Sequence, residues 1–277
     1  MEKYEIESVE IKLLLDAIFE RYGYDFKSYA RAPIERRLCN FMEDSGFNYI
    51  SEMIPKLMYD ESFFAKLVSA FSILVSDMFR DPHFYRSVRD NILPFLKTYP
   101  FFKIWHAGCA GGEEVYSMAI ILREAGLYDR ATIYATDFNN TALKKAKEGI
   151  YNIEKVKQYT SNYQDAGGIY SFSDYYHAQY EAIIMDPSLK KNITFASHNL
   201  AMDQVFSEMH MIFCRNVLIY FDKDLQNRVL KLFIDSLIHG GFLCLGTKER
   251  IQFSDISDQF RIIDDKFSIY QKKTEIL

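Results

Sequence analysis

Apolar residues recur at helical spacing along the first part of the chain. One pattern runs from Val9 to Phe19, a second starts near Pro33 and stops before Gly46, and a third runs from Ser62 to Phe79. Proline in the first turn and glycine just beyond the last turn are typical of helix ends. These three patterns predict a helical N-terminal domain.

The third helix is expected to close at Pro82, because proline disfavours helix at the residue before it. Ser76 and Arg80 would then lie near the helix end, one turn apart on the same face. A segment with two further prolines follows. We place the domain boundary in that segment, so residues 1–95 form the helical domain and residues 96–277 form the second domain.

Short apolar runs alternate with helical patterns after this boundary. This alternation is typical of an α/β sheet covered on both faces. The stretch about 152–192 is rich in Tyr, Ser, Asn and Gln and too long for a simple connection, which predicts an inserted subdomain. Two final runs suggest a hairpin at the edge of the sheet. The predicted strands cover residues 103–107, 131–135, 180–185, 193–197, 209–214 and 242–246, and the last helix covers 223–238.

A glycine-rich turn follows the first of these strands. Gly108, Gly111 and Gly112 leave the turn almost without side chains, so a ligand can reach bare backbone. Glu113 and Glu114 occupy the start of the next helix, where a pyrophosphate would otherwise bind. Two carboxylates suit ribose hydroxyls or a cationic ligand such as S-adenosylmethionine, although glutamates that merely cap the helix remain an alternative.

Polar residues follow several other strands of the predicted sheet. Asp137 ends the second strand, where nucleotide-binding sheets hold ribose hydroxyls, although it is also placed to cap the next helix. The tips of parallel strands point into the ligand crevice of an open sheet. The later strands place Asn199, Leu200, Arg215 and Asn216 at such tips.

Composition excludes several other classes of protein. The net charge of −5 and the pI near 5.7 give no general attraction to nucleic acid. The four cysteines lie far apart, which predicts neither disulfides nor a metal site. Without a signal peptide or a long apolar run, the chain is expected to be cytoplasmic, not inserted in a membrane, and monomeric. One helix face is basic, either as solvated surface or as a dock for an acidic partner, and it carries Arg31, Arg36 and Arg37.

With these motifs together, the chain resembles the chemotaxis receptor methyltransferases, the CheR family, over nearly its whole length. The matching stretches begin with I-E-R-R-L at residues 34–38 and M-F-R-D at 78–81. They continue with G-C-A-G-G-E-E-V-Y-S at 108–117, N-L at 199–200, F-C-R-N-V-L-I-Y-F at 213–221 and G-G-F-L at 240–243. The glycine turn with paired glutamates and the C-R-N-V-L-I-Y-F run are more specific than a generic nucleotide signature.

The resemblance implies a Rossmann-like class I methyltransferase sheet with an all-α N-terminal domain and a small inserted β-subdomain. It implies transfer of a methyl group from S-adenosylmethionine to glutamates of chemoreceptors, leaving S-adenosylhomocysteine. By matching position, Arg80 and Tyr220 would stand closest to the reacting sulfur. The implied cofactor site comprises Ser76, Arg80, Ala107, Glu113, Asp137, Asn199, Leu200, Arg215 and Asn216.

The chemistry of a glutamate acceptor agrees with this interpretation. A carboxylate is already ionised at neutral pH, so its attack on a methyl group needs no general base, and the sequence places no histidine or metal for that role. The site must instead align the reacting atoms. Arg80 is suited to hold a carboxylate through charge-assisted hydrogen bonds.

Three departures from the family pattern leave alternatives open. Leu74 replaces a common asparagine, Thr247 and Lys248 replace a His-Ser pair, and the insertion lacks the glycine-rich loop used for docking on a receptor's C-terminal pentapeptide. We therefore expect docking through Arg31, Arg36 and Arg37 on acidic receptor helices. The alternatives are a cofactor-binding signalling module without transfer, a methyltransferase acting outside chemotaxis, and an NAD-linked oxidoreductase.

Overall fold

The computed structural model describes residues 3–72, 76–205, 207–252 and 254–274. Its N-terminal part is a group of helices whose apolar faces form one core. Leu14, Ile18, Leu38 and Leu67 are fully buried there, as the helical spacing predicts. The helices are α1 (Lys3–Tyr22), α2 (Arg31–Asp44), α3 (Met53–Tyr59) and α4 (Glu61–Phe71).

The third predicted helix is shorter than the apolar spacing suggests. Helix α4 ends at Phe71, and residues 76–80 form a turn, so the expectation that Ser76 and Arg80 share a helix face is wrong. Met78 and Phe79 continue the helical spacing, but they are buried in the core of the next domain. A single stretch of helical spacing in the sequence therefore contributes side chains to two separate hydrophobic cores.

Two short helices, α5 (Pro82–Asn91) and α6 (Leu93–Leu96), follow this turn. Side chains from Met78 to Leu96 pack in the same hydrophobic cluster as the sheet, whereas the N-terminal core extends only to Phe71. The change of core thus precedes the predicted boundary near residue 95.

The second domain is built on a seven-stranded sheet in the order β6-β2-β1-β7-β8-β10-β9. The first five of these strands run parallel, and β10 is antiparallel to both neighbours. Strand β1 separates β2 from β7, which creates the crevice where open α/β sheets bind ligands. The strands are β1 (Phe102–Ala107), β2 (Ala131–Asp137), β6 (Ile193–Ser197), β7 (Met209–Cys214), β8 (Leu237–Leu245), β9 (Phe260–Asp264) and β10 (Ile269–Lys272).

Helices α7 (Glu113–Glu124), α8 (Asn140–Glu148) and α10 (Lys223–Ser236) connect the parallel strands. The last of them ends earlier than predicted, and β8 begins at once with Leu237. Gly240, which the sequence suggests as a helix-end glycine, lies inside β8 at a φ of 77°. The pairing of β7 with β8 shifts register just there, between Met209 and Met211.

The insertion forms a small antiparallel sheet in the order β3-β5-β4 together with helix α9 (Val156–Asp165). Its strands are β3 (Ile150–Asn152), β4 (Tyr176–Gln179) and β5 (Ala182–Met185). Tyr159 and Phe172 are buried against the main core. The predicted α/β class, with an all-α N-terminal domain and an inserted β-subdomain, is confirmed.

Candidate active site

A cavity of about 300 Å³ lies at the carboxyl ends of β1, β2 and β7. Residues from three regions line it, namely the helical domain, the turn before α5 and the loops that follow the strands. Tyr29 and Phe71 come from the helical domain, whereas Phe138 and Phe221 come from the loops. The site thus lies between the two domains and has an aromatic wall.

The glycine turn is tied to the neighbouring strand by hydrogen bonds. The N–H groups of Gly108 and Cys109 donate to the carbonyl of Thr136 at 2.8 and 2.9 Å. Asp137 accepts a bond from the N–H of Ala110 at 2.9 Å and another from the N–H of Asn139 at 2.9 Å. A carboxylate has about four acceptor sites, so Asp137 retains capacity for a ligand hydroxyl.

Asp137 does not cap the helix that follows it. The side chain of Asn139 takes that role, because its Oδ1 accepts bonds from the N–H groups of Thr141 and Ala142. Burial raises the pKa of Asp137, although bonds from backbone N–H groups partly offset this effect. An acidic group that lines the cavity and is not needed as a cap is consistent with a ribose partner.

The two adjacent glutamates of the turn face different surroundings. Glu113 is buried and points toward Gly111, with Lys145 Nζ 3.5 Å from its Oε1. Its Oε2 has no hydrogen-bond partner within the described part of the chain, and burial raises its pKa. Glu114, in contrast, lines the cavity.

Glu114 belongs to a buried ion-pair network. Its Oε2 accepts a bond from Arg215 Nη1 at 3.1 Å, and its Oε1 lies 3.1 Å from Nδ1 of His106. Burial alone would raise the pKa of Glu114, but the bond with His106 and the charge of Arg215 outweigh burial and lower it. The Glu114 charge is therefore compensated within the protein.

Arg215 extends this network to the turn before α5. Its Nη2 donates to Asp81 Oδ2 at 2.7 Å, and its guanidinium lies 4.0 Å from the ring centre of Phe84. Only 2% of the Arg215 side chain is exposed. The tip of β7 is thus joined to the turn that carries Arg80.

Another buried carboxylate shapes the loop after β7. Glu249 accepts bonds from the N–H groups of Gly246, Asn216 and Ile219 at 2.6, 2.8 and 3.3 Å. Glu249 is 4% exposed. The unusual Thr247 and Lys248 therefore lie in a loop whose glutamate holds the segment that leads to Tyr220.

The segment around Tyr220 is hydrogen-bonded to the helical domain. The N–H of Ala30 donates to the carbonyl of Tyr220 at 2.8 Å, and the N–H of Asp222 donates to the carbonyl of Ser28 at 2.9 Å. The rings of Tyr29 and Phe221 meet at 4.9 Å. Tyr220 therefore enters the cavity from a segment fixed by both domains.

Most of the predicted cofactor and catalytic residues meet in this cavity. Ala107 is buried beneath the glycine turn and, like Glu113, is not among the lining residues. Asn199 is not among them either, and its Oδ1 accepts a bond from the N–H of Ala201 at 3.0 Å. The predicted residues that do line the cavity are Ser76, Arg80, Asp137, Leu200, Arg215, Asn216 and Tyr220.

The three predicted docking arginines differ in their surroundings. Arg36 is exposed, and Arg31 pairs with Glu35 at 2.5 Å. Arg37 is half-buried, with its guanidinium 5.1 Å from the ring centre of Tyr220. Arg37 is therefore less exposed than the basic face predicted from the sequence would require, because the second domain covers that part of α2.

Several lining residues carry no recognisable signal in the sequence. Tyr29, Phe71 and Phe138 reach the cavity only because the two domains meet there. His198 also lines it, although no histidine was expected, and its ring packs edge-on against Trp105 at 5.2 Å. Leu74, which departs from the family pattern, lies outside the described residues.

The site is compatible with an adenosyl ligand that carries a positive charge. The volume of the cavity is at the lower end of the range for small-molecule pockets. The cavity has apolar walls and a few convergent polar groups, as such pockets do. Asp137 supplies carboxylate oxygens suited to accept hydrogen bonds from hydroxyl groups. In the described part of the chain, no cluster of His, Cys, Asp or Glu is arranged for a metal ion, and no helix has the length and apolarity to span a bilayer.

Comparisons with known proteins agree with this architecture. The family model described as CheR methyltransferase, SAM binding domain, matches residues 75–268, and the model described as CheR methyltransferase, all-alpha domain, matches residues 9–72. The putative methyltransferase Cher3 of Pseudomonas putida is 48% identical over 95% of this chain and 97% of its own. The chemotaxis protein methyltransferase of Listeria monocytogenes is 27% identical over 83% of this chain and 85% of its own. That of Borreliella burgdorferi is 28% identical over 88% of each chain.

Proposed function

Because the chain belongs to the CheR methyltransferase family, whose larger domain binds S-adenosylmethionine, we propose that it methylates glutamate side chains of chemoreceptors. The observation that supports this proposal best is the cavity between the two domains, where Asp137, Arg80 and Tyr220 come together. Relatives named chemotaxis protein methyltransferase support the choice of acceptor. We further propose that the protein acts as a cytoplasmic monomer.

In this proposal Asp137 accepts hydrogen bonds from the ribose hydroxyls, while the bare backbone of the glycine turn lies beside the nucleoside. Leu200 and Phe138 offer apolar surface to the adenine, because both line the cavity. The buried Glu114 is bound to Arg215 and shapes the pocket floor.

S-adenosylmethionine supplies the methyl group, whose bond to sulfur breaks as a bond to a carboxylate oxygen forms, giving a neutral ester and a neutral thioether. No proton moves, so the protein needs no general base. Arg80 orients the acceptor carboxylate by charge-assisted bonds. Tyr220, held by backbone bonds to the helical domain, orients the groups for in-line attack.

The acceptor docks, in this proposal, on the exposed basic part of α2. Arg36 is fully available to an acidic helix, whereas the charge of Arg31 is partly compensated by Glu35. Surface charges of this kind act mainly on the rate and salt dependence of association. Docking through α2 does not require a receptor pentapeptide.

The test is methylation of a purified chemoreceptor cytoplasmic fragment with methyl-labelled S-adenosylmethionine. We expect label that base releases as methanol, and none on a fragment whose acceptor glutamates are replaced by alanine. Tyr220→Phe and Arg80→Lys should lower the rate while the protein still binds S-adenosylhomocysteine.

Two other outcomes would select other functions. Label on a different protein of a host lysate would make the chain a methyltransferase with an acceptor outside chemotaxis. Calorimetric binding of S-adenosylhomocysteine without transfer to any protein would make it a cofactor-binding signalling module. Binding of NAD in its place would overturn the proposal altogether.

A further inference from the structure

Arg37 connects the helical domain to the wall of the cavity. Its guanidinium carbon lies 5.1 Å from the ring centre of Tyr220. Its Nη1 donates a hydrogen bond to the carbonyl of Phe71, the last residue of α4. Tyr220 and Phe71 both line the cavity, so one side chain of α2 contacts two parts of the cavity wall.

The contact has the geometry of a cation–π interaction. A guanidinium within about 6 Å of an aromatic ring centre is attracted to the face of the ring, and more strongly where water is partly excluded. Arg37 is half-buried, and burial lowers its pKa. Arginine suits this place because its planar group can stack on a ring and donate a hydrogen bond at the same time.

The two other arginines of α2 do not contact the cavity wall in this way. Arg36, one residue earlier, is exposed, and Arg31 bonds Glu35 and Ser8 within the helical domain. Backbone bonds hold the Tyr220 main chain at Ala30, but they do not fix its ring. Arg37 packs directly on that ring.

We propose that Arg37 is a positioning residue that fixes the Tyr220 ring in the cavity wall, and that it is not part of the surface that docks the acceptor protein. This inference rests on the proposed function of Tyr220. It predicts that substitutions of the two adjacent arginines of α2 change different kinetic constants. Loss of Arg37 lowers kcat, whereas loss of Arg36 raises the KM for the acceptor.

The kinetic test compares Arg37→Met, which keeps the length of the side chain but removes the cation, with wild type at saturating cofactor. We expect kcat to fall on the order of tenfold, with the KM for the receptor fragment and its salt dependence unchanged. Arg37→Lys keeps a cation near the ring and should give an intermediate kcat. An unchanged kcat, or a raised KM with altered salt dependence, would overturn the proposal.

Arg21 provides a matched control in the same domain. Its guanidinium lies 5.1 Å from the ring centre of Tyr22, and its Nε donates to the carbonyl of Met58 at 3.4 Å. Arg21 is not among the residues that line the cavity. Arg21→Met should therefore leave kcat unchanged. An equal loss of kcat in both variants would mean that Arg37 is only structural, and the proposal would fail.

A second measurement does not depend on the acceptor. Protein labelled with ¹³C in its tyrosine rings gives a spectrum in which Tyr220→Phe identifies the Tyr220 signal. We expect that signal to shift in Arg37→Met and to stay in place in Arg21→Met, and the absence of a shift would refute the contact. If wild type fails to methylate the receptor but the signal still shifts in Arg37→Met, the proposed acceptor is wrong and the role of Arg37 stands.

Discussion

Replacing Glu114 by glutamine is expected to destabilise the protein through the buried network around Arg215. Glutamine keeps the shape of the side chain and one acceptor oxygen, but it removes the negative charge. Arg215, with 2% of its side chain exposed, would retain Asp81 as its remaining ion-pair partner at 2.7 Å. The carboxylate of Asp81 is 36% exposed and compensates the buried cation less well than Glu114 does.

The size of the effect follows from the burial of this network. Removing one partner of a buried ion pair costs roughly 3 to 5 kcal/mol. Because Asp81 stays in place, we expect the lower end, about 3 kcal/mol. For a chain of this length each kcal/mol lowers Tm by about 2 to 4 °C, so Tm should fall by roughly 6 to 12 °C.

The loss of stability in Glu114→Gln should also depend on pH. The pKa of Glu114 is lower in the folded protein than its ordinary value of 4.5. Its carboxylate therefore stabilises the fold above that value, and this contribution is lost as the pH falls through the folded pKa. Glutamine does not titrate, so the difference between wild type and variant should be full at neutral pH and shrink in acid.

Urea unfolding of both proteins at neutral pH and near pH 4 measures these differences. Glu148→Gln is the control, because Glu148 is exposed and a surface change of this kind alters the free energy of unfolding by about 0.5 kcal/mol or less. A Glu114→Gln effect no larger than that of the control, or one that grows in acid, would refute the reasoning.

Three other changes test the site. Gly108→Ala should cost about 1 to 2 kcal/mol in urea unfolding, because φ is +77° and the new Cβ would lie 2.6 Å from Val217 Cγ2; an unchanged stability would contradict this. Asp137→Asn should weaken calorimetric binding of S-adenosylhomocysteine about 10- to 100-fold through the loss of charged hydrogen bonds, and equal affinity would remove Asp137 from the ribose site. Arg36→Glu should raise the KM for the receptor fragment at low salt and leave kcat unchanged, whereas a KM independent of both charge and salt would exclude α2 as the dock.

The parts of the fold that the sequence predicts well are those decided by local pattern. Strand β7 occurs at the predicted residues, because a buried strand in a parallel sheet needs a short apolar run whatever surrounds it. Strand β6 also occurs at the predicted residues, although it lies at the edge of the sheet and none of its residues is buried. The glycine turn and Asp137 are likewise recognisable, since their spacing after strands is a local property. The helix predicted through Phe79 fails because apolar spacing does not reveal which core a residue joins.

The parts of the site that the sequence cannot predict depend on contacts between distant residues. Glu113 and Glu114 are adjacent and chemically identical, yet Lys145 lies beside one and Arg215 beside the other. Arg37 occupies a helical position that is typical of a surface arginine. It is turned inward only because Tyr220, which lies far along the chain, is placed beside it. No periodicity encodes such pairings.

Tyr29 shows why the cavity depends on both domains. It packs against the core of the helical domain and also against the core around β7 and α10. Burial and the nearby charge of Asp137 raise its pKa, so this phenol is even less prone to ionise than an ordinary tyrosine, which is already neutral at physiological pH. A neutral hydroxyl can donate a hydrogen bond to a ligand without repelling it. Because Tyr29 packs against both cores and lines the cavity, the two domains must be packed together before the cavity has its full wall, and motion between them would alter cofactor binding and the position of Tyr220 together.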